Sequence, residues 1–221
     1  MRKKIFVILS VLALSTVVLT GCKSREPAEE PSTEPSTEPS TEPSEGIKPE
    51  VTRKAPEFTL NSFDGKTISL SDYTGKIVVL EWFNYECPFV LRHYGSSPTM
   101  IGLANKYKDK NVVWLAINST SHATPEANIA FAEERKLPYP ILDDRSGTVG
   151  RAYGARTTPH MYVIDTRGSI AYQGAIDNDE RGRKRTNVIN YVDKALAELT
   201  GGKEVSTKDT MSYGCTVKYP E

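Results

Sequence analysis

Residues 23 to 50, KSREPAEEPSTEPSTEPSTEPSEGIKPE, constrain the fold more than any other stretch, because this repeat of Pro, Ser, Thr and Glu has almost no apolar surface to bury. Such a segment cannot fold alone, and its prolines keep it extended at roughly 3 Å per residue. It divides the chain into a leader, a spacer and a folded remainder. We read 1–21 as a signal peptide, 22–49 as a disordered linker, 50–200 as one folded domain and 201–221 as a C-terminal tail. The remainder has the length of one domain with room for a proper core.

The leader begins MRKK and continues through the apolar run IFVILSVLALSTVVL, a charged start and an apolar middle that mark a secretion signal. The run is short for a membrane span. It closes on Leu19, Thr20, Gly21 and Cys22, an order that resembles the bacterial lipobox. That resemblance implies cleavage before Cys22, lipid on Cys22, and a protein held on the extracytoplasmic side of the cell membrane by acyl chains.

Of the three cysteines, lipidation removes Cys22 and leaves Cys87 and Cys215, in a compartment where disulfides persist. The formal net charge is zero and there is no long basic stripe, so nucleic acid is not an expected partner. The local run RGRKR at 181–185 reads as a solvated loop or the start of a helix.

In the folded part, PEFTLNSFDGKTISLSDYTGK alternates apolar and polar residues on both sides of Asp64 and Gly65, which predicts a hairpin. IVVLEWF, at 77–83, predicts a strand buried on both faces, and Pro88 to about Lys108 a helix. VVWLAINS predicts a second buried strand, and TPEANIAFAEERK a helix opened by Thr124 with Pro125 in its first turn. PHMYVID and SIAYQGAI predict a hairpin about TRG. TNVINYVDKALAELT predicts a last helix that ends at Gly201 and Gly202. Strands alternating with helices and ending in a hairpin predict an α/β fold, a mixed sheet with helices on both faces.

The stretch FNYECPFVLRHY, at 83–94, carries the chemistry. A thiolate, not a thiol, is the nucleophile, and the N–H groups at a helix start favour the charged form. Cys87 stands just before Pro88, whose fixed φ and missing N–H suit the first helical position.

The pieces WFNYECPFV, TTPHMYVID, YQGAIDN and YGCTVKY, taken in this order, resemble the thioredoxin-like redoxins. These are the peroxiredoxin-like and membrane-anchored proteins grouped with the alkyl hydroperoxide reductase and thiol-specific antioxidant superfamily. The resemblance covers roughly residues 55–200. It implies a thioredoxin-like fold with an N-terminal hairpin extension, and a cis Pro159 facing Cys87. It also implies that Thr158 offers backbone groups to an extended substrate and that Glu81 is a buried acid shuttling a proton. A carboxyl desolvated there has a raised pKa; the alternative is a pair with Lys76 or another cation. His160 follows the loop proline and could approach the thiol, and Trp82 could screen it. His93 and His122 are assigned nothing.

Thioredoxins carry a second cysteine three residues after the first, and here that position is Val90. The resemblance places a cysteine in the tail motif, which makes Cys215 the expected resolving partner. At about 3.3 Å per residue the stretch after Gly201 is long enough to cross a small domain. The alternatives are a free thiol and an intermolecular disulfide. No clustered Cys and His spacing argues for a metal, and no cofactor is expected.

These readings give a thiol-disulfide oxidoreductase, with Cys87 attacking and Cys215 resolving, whose partners are protein thiols or disulfides and a thiol electron donor. The alternative is a peroxidase acting on hydroperoxides through a sulfenic acid. Against it, Leu80 and Asn84 stand where peroxiredoxins carry Pro and Thr, and Pro159 about where their arginine is expected. A reading from another class is a binding module that holds a partner in the groove beside Pro159 without turnover.

Overall fold

A computed structural model of the chain describes residues 53–95 and 98–221. The expected signal segment 1–21, the expected lipid site Cys22 and the expected linker 22–49 lie outside the described residues. In chain order, β1 (Thr59–Asn61) and β2 (Thr67–Ser69) form a hairpin, and β3 (Ile77–Trp82) leads into α1 (Pro88–Arg92) and α2 (Thr99–Tyr107). β4 (Val112–Asn118), α3 (Pro125–Arg135), β5 (Ile141–Asp143) and α4 (Thr148–Tyr153) follow. The chain then gives β6 (Thr157–Thr158), β7 (His160–Ile164), β8 (Ile170–Gly174), α5 (Tyr191–Thr200) and β9 (Cys215–Thr216).

The central sheet has five strands in the order β5-β4-β3-β7-β8. β3 runs parallel to β4 and antiparallel to β7, so the sheet is mixed. All six residues of β3 are buried, as a strand with neighbours on both edges and cover on both faces requires. Period-two alternation sends its side chains to two cores. Ile77, Val79 and Phe83 join Val90, Met100, Leu103, Phe131, Val192 and Leu196 beneath α1, α2, α3 and α5. Val78, Leu80 and Trp82 join Phe58, Ile68, Leu70, Val149 and Tyr153, under the N-terminal hairpin region and α4.

Two predicted helices start or stop elsewhere than their patterns suggest. The helix expected from Pro88 to about Lys108 is two helices, because α1 is capped at His93 and α2 begins only after Pro98. Gly95 and Pro98 lie in the break, and a proline has no N–H with which to continue a helix through itself. The last helix starts at Tyr191, not Thr186. Asn190 caps it by accepting the Asp193 N–H at 2.8 Å, while Asn178 ties Ile189 through its backbone and its side chain. Asn187 takes φ 58°, so the chain before Asn190 is spent on a tertiary contact.

The tail crosses the end of the sheet between the two cores: Tyr213 and Cys215 pack against one, Val217 and Tyr219 against the other. β9 pairs antiparallel with β6, with Thr216 opposite Thr157 and Cys215 opposite Thr158. That pairing is a property of the tertiary fold, since the two strands are far apart in the chain.

Candidate active site

Cys87 is positioned by the turn that ends β3. Asn84 is buried; its side chain accepts the Glu86 N–H at 2.8 Å and its carbonyl accepts the Cys87 N–H at 3.1 Å. Asparagine favours such turns because its short side chain bonds the backbone two residues on. Cys87 is then the N-cap of α1 and Pro88 its first residue, exposed at the rim. Asn84 is an anchor absent from the sequence expectations, and an asparagine closing the apolar run IVVLEWF is the signal for such a turn.

The Cys87 sulfur lies 2.8 Å from the Cys215 sulfur and 3.0 Å from the Thr158 carbonyl oxygen. Both cysteines are free thiols, Cys87 buried and Cys215 half-buried. The Thr158–Pro159 peptide is cis, and Thr158 itself is buried. Burial pushes the Cys87 thiol up, but hydrogen bonding with Cys215 and Thr158 and with the backbone of Val90 and Cys215 outweighs it, so its pKa falls below the usual thiol value. Of the lowering contributions the one from Cys215 is the largest. Cys215 moves the other way: burial and the neighbouring Cys87 push it up to about 11. Cys87 is therefore the more acidic thiol of the pair and Cys215 the one that holds its proton longer.

Glu81 is fully buried on β3 and faces the core that holds Cys87. Tyr94 donates to both its oxygens at 2.9 Å, and Trp114 Nε1 donates to Oε2 at 3.1 Å. The Tyr139 hydroxyl lies 2.8 Å from that of Tyr94. Burial raises the carboxyl to about 7, against the pull of Trp114 and Tyr94. Its partners are phenol and indole groups; Lys76 instead sits over the Tyr73 ring, 5.9 Å from the centroid.

Trp82 and His160 do not come to the thiol. They are opposite one another on β3 and β7 and face the second core, on the other side of the sheet from Cys87. Trp82 Nε1 donates to Ser119 Oγ at 3.0 Å, and Ser119 Oγ donates to Asp144 at 2.6 Å. His160 Nδ1 accepts the Arg156 N–H at 3.3 Å; burial, with Arg156 nearby, pushes its pKa down to about 4. Strand alternation alone forces this placement, because Glu81 and Met161 take the Cys87 side.

His93, assigned nothing from sequence, is buried beside Tyr213. Among the described residues there is no group of three or more His, Cys, Asp or Glu side chains able to hold a metal ion, and no helix is long and apolar enough to cross a membrane.

A cysteine capping the first helix after a central strand, with a cis-proline turn across from it, is the arrangement of a thioredoxin-like oxidoreductase. Comparison with known proteins gives the family. A sequence model of the AhpC/TSA family matches residues 51–173, more than half the chain, and the protein belongs to that family. Thiol-disulfide oxidoreductase ResA of Bacillus cereus is 29% identical over 127 residues, 58% of this chain and 70% of that protein. Thioredoxin-like protein YneN of Bacillus subtilis is 34% identical over 119 residues, 53% of this chain and 67% of that protein. Among solved structures, an uncharacterized conserved protein from Geobacillus kaustophilus superimposes with a TM-score of 0.70 at 31% identity, covering 76% of this chain and 92% of the other. The chain is thus an oxidoreductase enzyme with a thioredoxin-like fold.

Proposed function

We propose that the protein is a lipid-anchored, extracytoplasmic thiol-disulfide oxidoreductase in which Cys87 is the nucleophile and Cys215 the resolving cysteine. The observation that carries this reading is the 2.8 Å approach of two sulfurs from residues 128 apart in sequence, with opposite pKa shifts that distinguish attacker from resolver. The tail thiol takes the role that the residue at Val90 has in a local Cys-x-x-Cys. The relatives named thiol-disulfide oxidoreductases support the same chemistry.

Cys87 as thiolate attacks a disulfide in a protein substrate, one substrate thiolate leaves, and Cys215 gives up its proton and attacks the Cys87 sulfur, releasing the second. The substrate gains two electrons, and the Cys87–Cys215 disulfide that remains is reduced by an external thiol donor. Glu81, with a pKa near neutrality, accepts or supplies a proton in these steps. Thr158 and Pro159 border the thiol as the groove for an extended substrate. Anchoring through Cys22, the domain boundaries and the spacing role of the linker belong to the same reading.

The test is intact mass and peptide mapping of the full chain after mild oxidation. One intramolecular Cys87–Cys215 disulfide that dithiothreitol opens is expected, and a Cys215→Ser variant that accumulates mixed disulfides on Cys87. Two thiols that stay free refute the two-cysteine mechanism.

A further inference from the structure

Cys87 is only 1% exposed, and what lies over its sulfur is the tail. The tail is fastened at both ends of the segment that does so. On one side, Gln173 N donates to Lys208 O at 3.0 Å and Thr210 N donates to Gln173 O at 3.0 Å. On the other, Ser121 N donates to Lys218 O at 2.8 Å, and Tyr219 donates to Ala155 O at 2.8 Å. Between these anchors runs a strap, residues 211–217, whose β9 takes the free edge of β6.

Two features hold the strap down. Gly214 has φ 132°, and a Cβ there would collide with the Thr158 carbonyl, so only glycine permits this approach to β6. Tyr213 stands one residue earlier. Its hydroxyl donates to Asp177 Oδ1 at 2.7 Å, accepts from Arg92 Nη2 at 3.0 Å and lies 3.2 Å from His93 Nε2. Its ring rests against Phe89, centroids 6.2 Å apart. Phe89, Arg92 and His93 belong to or cap α1, the helix that Cys87 begins. One phenol therefore joins the strap to the nucleophile's own helix and to the loop after β8. By contrast, Met211 at the strap's start is 92% exposed.

We propose that Tyr213 is the positioning residue that latches strap 211–217 onto β6, and that a protein substrate reaches Cys87 only when the latch releases. The strap occupies the backbone edge that an extended substrate segment would use. The inference rests on the two-cysteine reading above and adds an order of events. Latch release exposes Cys87, which gives up its proton to solvent as Cys215 withdraws, and frees the β6 edge. The thiolate attacks a substrate disulfide, a Cys87–substrate disulfide forms, and one substrate thiolate departs and takes up a proton. The strap returns, Cys215 loses its proton and attacks Cys87, and the second substrate thiolate leaves with the Cys87–Cys215 disulfide closed behind it. The same contact thus opposes attack and favours resolution.

The experiment compares the reduced full chain with its Tyr213→Phe variant. Modification of Cys87 by a bulky maleimide, located by peptide mass spectrometry, proceeds through the open form and so follows the open fraction. Losing a hydrogen bond to a charged acceptor raises that fraction about tenfold, and the maleimide rate rises with it. In single-turnover reaction with a disulfide-bonded peptide, attack becomes faster and resolution of the mixed disulfide slower, opposite changes that a general loss of stability does not produce. Asp177→Asn, which keeps a neutral acceptor for Tyr213, gives a smaller increase than Asp177→Ala, which matches Tyr213→Phe. Gly214→Ala, which forces the strap away from Thr158, gives an increase at least as large. A Tyr213→Phe variant modified at the unaltered rate, or a Gly214→Ala variant in which Cys87 stays protected, overturns the proposal. Both rates are read on reduced thiols, so they stand apart from whether Cys87 and Cys215 form a disulfide, which decides the two-cysteine reading itself.

Discussion

Replacing Glu81 with glutamine tests the account of the buried acid through stability. The carboxyl is fully buried and moves from 4.5 in an exposed setting to about 7 in the fold, so the folded state binds its proton more tightly than the unfolded chain does. The stabilisation from the protonated form is complete below pH 4.5 and is lost as pH rises through about 7. At about 1.4 kcal/mol per pKa unit the full effect is about 3 kcal/mol, most of it falling between about pH 5 and 8. Glutamine keeps an oxygen to accept from Tyr94 or Trp114 and cannot ionise. The assay is urea unfolding of the unaltered chain and Glu81→Gln at pH 5 and pH 8. Every other titrating group is common to both, so the difference in their pH slopes isolates Glu81. The unaltered chain loses about 2–3 kcal/mol more than the variant over this range, equivalent to roughly 5–10 °C in melting temperature at about 2–4 °C per kcal/mol. Parallel profiles would refute the reasoning, since they mean Glu81 is as well solvated in the fold as outside it.

Cys215→Ala removes the thiol 2.8 Å from the Cys87 sulfur, whose contact contributes most to lowering the Cys87 pKa, so the pH midpoint for alkylation of Cys87 moves upward; a midpoint that stays in place shows the lowering has another source. Asp144→Ala leaves the buried N–H groups of Val149 and Gly150, at 3.1 and 2.8 Å, and the Ser119 hydroxyl without their acceptor. It costs about 3 kcal/mol in equilibrium unfolding, while Cys87 in the folded protein keeps its alkylation rate.

Local patterns carried the elements furthest where one physical cause acted alone. Apolar continuity in IVVLEWF gave the central strand, Asp64 and Gly65 the hairpin, and Thr124 with Pro125 the start of α3. The break between α1 and α2 has a local cause, Gly95 and Pro98, that the apolar pattern masks, whereas the late start of α5 comes from tertiary bonds that compete with the local pattern. The sequence marks Cys87 and Cys215 as residues but not the face each neighbour takes, and Trp82 and His160, close to the thiol in the pattern, lie across the sheet from it.

The sequence by itself determined a cysteine set where a helix begins and a strand pattern that admits few sheets, because these follow from backbone preference and apolar patterning over a few residues. Only the tertiary structure decided the rest. It brought Cys215 to 2.8 Å from Cys87, raised the pKa of Glu81 by closing a core around it, and joined Tyr213 to Arg92, His93 and Asp177. Those outcomes depend on contacts between segments tens of residues apart, and on the removal of water that only a completed core achieves.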